Sequence, residues 1–81
     1  MDATKILYDL VEPVVQNREA LSVKELDSLN ENETILVIYA DSNDIGRLIG
    51  KKGSMANAIR QTMGIATRVL DRKITVKFES Y

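Results

Sequence analysis

The 81-residue chain contains no cysteine, no histidine and no tryptophan. Without thiols there are no disulfides, thiolate nucleophiles or sulfur metal ligands, and without imidazole the usual acid–base group of neutral pH is missing. Most enzyme classes are thereby disfavoured. Proline and phenylalanine occur once each, as Pro13 and Phe78, so the core has to be built from Ile, Leu, Val, Met and Ala. No apolar run approaches the length needed to cross a bilayer, and Met1-Asp2-Ala3-Thr4-Lys5 lacks the basic-then-apolar pattern of a secretory leader. The expectation is a soluble, cytoplasmic protein with no membrane insertion.

What is present suits a small globular fold. Hydrophobic residues make up 44% of the chain and charged ones 28%, a balance typical of packed domains rather than disordered ones. There is room for one domain, residues 1–81, and a chain of this size buries only about 60% of the surface exposed when unfolded. A stability near 5 kcal/mol is the corresponding expectation. The net charge of −1 conceals a division: residues 1–44 carry ten acidic and three basic side chains, a balance of −7, whereas residues 45–81 carry two and eight, a balance of +6. Such a chain presents a polyanion-binding face only if folding keeps its halves on separate surfaces.

Along the chain, Ile6, Leu7, Leu10, Val11, Val14 and Val15 fall at helical spacing and predict an amphipathic helix from Thr4 to Asn17. Pro13 removes an amide donor within it and predicts a bend or an earlier end. Leu21 to Leu29 reads as a short, irregular edge strand, Asn30 to Glu33 as a polar connector, and Thr34 to Ala40 as a central strand because its apolar run is unbroken. The two strands are expected to form a hairpin. Asp41-Ser42-Asn43-Asp44 offers several N-caps for a short helix bearing Ile45, Leu48 and Ile49, which Gly50 would end. Ser54 opens a second helix in which Met55, Ala58, Ile59, Thr62, Met63 and Ala66 are the expected buried stripe. Gly64 inside it marks fraying, a bend or a close helix contact. Asp71-Arg72 reads as a turn, and Ile74, Val76 and Phe78 alternate with polar residues in a last strand. The predicted order is α-β-β-α-α-β, an α+β fold.

The chemistry concentrates in Gly50-Lys51-Lys52-Gly53. Glycines separated by two residues let one helix turn tightly into the next, and their missing side chains let a phosphate approach the main chain. Free amides at the start of the second helix would receive it, helped by the helix dipole. The loop does not match the nucleotide-triphosphatase pattern, and Gly46, Gly50 and Gly53 do not reproduce the dinucleotide fingerprint. An ordinary solvated corner stands beside the phosphate reading. The absence of any acid from Ile45 through Thr67 favours the latter.

The run Gly46-Arg47-Leu48-Ile49-Gly50-Lys51-Lys52-Gly53, followed by Ala58-Ile59-Arg60, resembles the core motif of the KH domain. KH domains bind single-stranded nucleic acid and clamp its backbone with a Gly-x-x-Gly loop. From first helix to last strand the chain is similar to the small stand-alone bacterial KH proteins of the KhpA family. That resemblance implies a type II KH fold, a three-stranded mixed sheet packed on helices, with Thr34–Ala40 and Ile74–Phe78 as parallel neighbours. It implies single-stranded RNA in a groove accommodating about four nucleotides, with Gly50 and Gly53 shaping the phosphate contact and Lys51 and Lys52 charging it. Arg47, Ser54 and Arg60 are further candidates along the phosphate path. Ile45, Ile49 and Ala56 are candidates for the apolar wall, with internal packing the competing role of the first two; Ala56 stands where many KH domains have a branched residue. Arg68, Arg72, Lys73 and Lys77 extend the positive surface or simply solvate it.

The resulting expectation is a non-catalytic RNA-binding protein with no cofactor or metal, acting as a post-transcriptional regulator or RNA chaperone. The resemblance also implies homodimers, or heterodimers with a larger KH-containing RNA-binding protein, in processes affecting cell shape and division. A protein-interaction module with vestigial nucleic-acid binding is the alternative. Asp44, Asp71 and Glu79 are the acids available for catalysis, and nothing in the sequence pairs two of them. Tyr8, Tyr39 and Tyr81 do not cluster with the motif, and Tyr39 is a candidate core residue.

Overall fold

The computed structural model describes residues 3–26, 28 and 31–81. Its elements are α1 (Ala3–Val11), β1 (Ser22–Leu26), β2 (Glu33–Ala40), α2 (Ser42–Ile49), α3 (Ser54–Leu70) and β3 (Lys73–Ser80). The sheet order is β1-β2-β3, with β1 antiparallel and β3 parallel to β2. This is the predicted α-β-β-α-α-β order with a mixed sheet. The parallel return from β2 to β3 needs a long crossover, which α2 and α3 supply.

Pro13 decides where the first helix stops. The α-helix ends at Val11, a single 3₁₀ turn runs from Glu12 to Val14, and Val15 is already extended. The helix predicted to reach Asn17 is therefore shorter, because Pro13 cannot donate to the preceding turn and its ring crowds it. Val15 keeps its core position without being helical, at 5% exposure. In β1 the strand is shorter than expected: Leu21 precedes it and is buried, while Leu26 ends it and is exposed. Leu29 and Asn30, assigned to the strand and the connector, lie outside the described residues.

The central strand alternates as its period dictates. Leu36, Ile38 and Ala40 face the helices and join Leu7, Val11, Leu48, Ile59, Met63 and Val76 in one core. Tyr39 is on the opposite face of the sheet, half-buried and outside that core, contrary to its candidacy as a core residue. In α3 the buried stripe is Ala56, Ile59, Met63 and Ala66, at spacings of three, four and three. Ile59, Met63 and Ala66 are buried as predicted, whereas Met55, Ala58 and Thr62 are exposed and Ala56, not predicted to belong to the stripe, is buried. Gly64 makes no close helix contact, since a methyl added there would meet nothing within 4 Å.

β1, with Lys24 and Glu25, forms one edge of the sheet and β3, with Lys73, Lys77 and Glu79, forms the other.

Candidate nucleic-acid interface

The corner between α2 and α3 is built by glycine conformations that other residues resist. Gly50 has φ +75°, and a methyl added to it would lie 2.8 Å from the Met55 backbone nitrogen. Conformation and space both require glycine there. Gly53 has φ +78° with open space around it, so only its backbone asks for glycine. Between them Lys52 itself adopts a left-handed conformation, φ 57° and ψ 25°. Lys51 and Lys52 are exposed at the tip; α3 starts beyond Gly53 with no side-chain cap, and its first amide, that of Ser54, donates to the Lys51 carbonyl. The amides that follow, at the positive end of a helix dipole, are a ready anion acceptor.

A buried carboxylate holds this corner in place. Asp41 caps α2 by accepting the Asp44 amide at 2.9 Å. Asp44 is itself fully buried and accepts the Gln16 and Asn17 amides, each at 2.9 Å, and the Arg47 guanidinium at 2.8 Å. The two backbone donors, and secondarily Arg47, hold its carboxyl below the ordinary value against the opposing effect of burial. Asp44 thus ties the segment after α1 to the first turn of α2, where its charge also suits the dipole. Nothing in the sequence separates it from the other cap candidates, because its partners are 28 and 27 residues away.

From the corner a groove of about 500 Å³ runs between α3 and the free edge of β3. Ile49, Ala56, Val76 and Phe78 give it an apolar floor, and Lys52, Gly53, Asn57, Arg60, Lys77 and Glu79 its rim. Arg60 spans it, donating to the Val76 carbonyl at 3.3 Å and lying 5.4 Å from the Phe78 ring centroid. Of the residues nominated from sequence, Ile49, Lys52, Gly53, Ala56 and Arg60 line the groove. Gly50, Lys51 and Ser54 belong to the adjoining corner. Ile45 instead packs against the core. Arg47 is engaged with Asp44 and does not line the groove.

Asn57 and the four β3 residues were not nominated as groove residues. Asn57 could have been found by helical spacing, one turn after Gly53 and three residues before Arg60; Val76 to Glu79 depend on which strand becomes the edge. Phe78 is the aromatic that reaches the groove. Tyr39 and Tyr81 pair across the other sheet face, centroids 6.0 Å apart, with the Lys24 ammonium 5.7 Å from the Tyr39 ring. The three acids considered for catalysis are dispersed: Asp44 is buried under α2, Asp71 is the left-handed cap of α3, and Glu79 sits on the groove rim.

Comparison with known proteins agrees with this geometry. A family model described as the KhpA/KhpB KH domain matches residues 4–78. The RNA-binding protein KhpA of Borreliella burgdorferi is 25% identical over 73 residues, covering 90% of this chain and 87% of the relative. The RNA-binding protein KhpA of Aquifex aeolicus is 24% identical over 78 residues, covering 95% and 96%. Among solved structures, the fold matches a variant of Aquifex aeolicus Era bound to GDP.AlF4- with a TM-score of 0.64 and 19% identity. It matches Era in complex with MgGDPNP and nucleotides 1506-1542 of 16S ribosomal RNA with the same values. The Era likeness is one of fold, and it spans 96% of this chain but only 29% of Era. With the helix-flanked corner, the mixed sheet and a family match over nearly the whole length, the chain belongs to the KhpA/KhpB family of KH domains, in the α+β type II arrangement.

Proposed function

We propose that residues 1–81 act as a single KH module that binds single-stranded RNA and catalyses nothing. The observation that carries this reading is the groove itself: it starts at an uncapped helix N-terminus flanked by two exposed lysines and ends at the edge of β3. In this account Gly50 and Gly53 bring a phosphate close to the main chain, the α3 amides and the Ser54 hydroxyl receive it, and Lys51 and Lys52 attract it. Bases lie on Ile49, Ala56, Val76 and Phe78, with Asn57, Arg60 and Glu79 at their edges. Arg47 and Ile45 support the corner from behind. The relatives named as RNA-binding proteins favour RNA over other polyanions. No helix among the described residues is long and apolar enough to cross a membrane. A cytoplasmic RNA chaperone or post-transcriptional regulator is the corresponding role.

The test is a titration of short single-stranded RNA against wild type and the Lys51→Asp/Lys52→Asp double variant over a range of salt. Neutralising three or four phosphates predicts a salt slope of about −2 to −3 for wild type, at about 0.7 per phosphate. The double variant, shown folded by circular dichroism, is expected to lose binding. Equal affinities at every salt concentration would remove the loop from the interface.

A second reading is favoured by one observation. Ile65 and Val69 are 61% and 59% exposed, on the side of α3 away from the groove, where they line an apolar cleft of about 190 Å³ with Ile6, Thr62 and Ala66. This surface suits a protein partner, a second copy or a larger KH-containing protein, and its use is compatible with RNA in the groove. Sedimentation of wild type against Ile65→Asp/Val69→Asp checks it, with self-association expected only for wild type.

A further inference from the structure

The groove residues Gly53, Asn57 and Arg60 follow one another along α3 at spacings of four and three, so they form a single flank of the helix. Continued at the same spacing, that flank carries Gly64, then Thr67 and Arg68, then Asp71. A second cavity, also of about 500 Å³, opens there, lined by Asn32, Thr67, Arg68, Asp71, Arg72 and Lys73. Both cavities lie against the same flank of α3; the first opens onto Val76 to Glu79 of β3, the second onto Lys73 at the start of β3 and Asn32 just before β2. Helical rise puts Gly53 and Asp71 about 27 Å apart.

Three further features bear on a path between the two cavities. Gly64 lies between the two sets of lining residues along α3, and a methyl added there would meet nothing within 4 Å. The chain has no acidic residue from Ile45 through Leu70. Arg68, Arg72 and Lys73 are exposed and form no ion pair among the described residues. Three cations line this cavity against one lining carboxylate, Asp71, with Glu33 beside Lys73 in the β2–β3 register, and cations gathered in this way favour an anion among them.

We propose that the α3–β3 seam is one extended track, and that an RNA strand held at the glycine corner continues past Gly64 to a second phosphate site at Arg68, Arg72 and Lys73. This rests on the RNA-binding reading above and lengthens it: the chain engages more than the roughly four nucleotides that a Gly-x-x-Gly groove holds. The distal site supplies affinity without base preference, because guanidinium and ammonium groups contact phosphate and read no sequence.

The experiment compares fluorescein-labelled RNA of four and ten nucleotides, randomised at every position so that base preference averages out. It uses the full chain as wild type, Arg68→Gln/Arg72→Gln and Gly64→Glu. Glutamate is a better helix former than glycine and meets open space at position 64, so this variant blocks the track without endangering the fold. For wild type the ten-nucleotide RNA is expected to bind more tightly than the extra binding registers explain, and that excess should fall by about half a decade for each added phosphate contact between about 50 and 200 mM salt. Its salt slope should be steeper by about 1.4 to 2.1, from two to three more phosphates neutralised by Arg68, Arg72 and Lys73 at about 0.7 each. Both gains should vanish in the two variants while four-nucleotide binding stays unchanged. A wild-type length gain no larger than the register count, or a full gain retained by Arg68→Gln/Arg72→Gln, overturns the track and leaves the corner standing. Failure of wild type to bind either length overturns the RNA-binding reading and the track with it.

Discussion

Two flanks of α3 have opposite chemistry. One carries Gly53, Asn57, Arg60, Gly64 and Arg68 and faces the edge of β3; the other carries Thr62, Ile65, Ala66 and Val69 and faces Ile6 of α1. Between them Ile59 and Met63 are sunk in the core, with buried Ala56 bordering the groove and buried Ala66 bordering the cleft. A helix of 17 residues thus separates a polar flank, free of acidic residues from Ser54 to Leu70, from an apolar cleft by rotation alone. The difference teaches that composition cannot assign these surfaces: isoleucine and arginine are both exposed on α3, and only the register of the buried stripe says which of them lies beside the glycine corner.

The comparison breaks most completely if its corner is removed. Gly50→Val places a β-branched residue at φ +75° with its Cβ 2.8 Å from the Met55 nitrogen, and we expect a loss of about 2–3 kcal/mol by urea denaturation together with loss of RNA binding. Gly53→Ala, which meets no neighbour, should cost about 1 kcal/mol. Next in size is Asp44, whose carboxylate supports the corner from behind. Its folded value is lowered, so its contribution to stability is present above the ordinary value of 3.8 and lost as pH falls through the folded one. Thermal melts should show wild-type Tm falling below about pH 4, with Asp44→Asn less stable at pH 7 and less dependent on acid. Gly64→Ala should stabilise by about 1 kcal/mol, raising Tm by about 4–8 °C, without altering the binding of four-nucleotide RNA. The smallest effect belongs to the opposite flank. Ile65→Thr/Val69→Thr should change stability by no more than about 0.5 kcal/mol, both residues being exposed, and leave RNA affinity unchanged in a fluorescence titration.

The parts of the molecule that local pattern determines were legible in the sequence. The unbroken run Thr34–Ala40 marked the central strand, Pro13 the early end of α1, and Gly50-Lys51-Lys52-Gly53 the corner. The α3 stripe was legible at Ile59, Met63 and Ala66 and too wide at Met55, Ala58 and Thr62, which share a plausible spacing with them, while small Ala56 gave no hydrophobic signal of its own. Asp44 looked like one cap among four, since the amides it accepts come from a distant segment brought near only by folding. For the same reason half of the groove was hidden: Val76, Lys77, Phe78 and Glu79 join it only because β3 becomes the edge of the sheet.

The most direct test of the account is a map of amide chemical shifts in the 15N-labelled chain as a short single-stranded RNA is added. The account predicts that the perturbed amides cluster at Gly50, Lys52, Gly53, Asn57, Arg60, Val76 and Phe78, with Ile65 and Val69 unmoved. Perturbations centred on Ile65 and Val69, with a silent glycine corner, would contradict it.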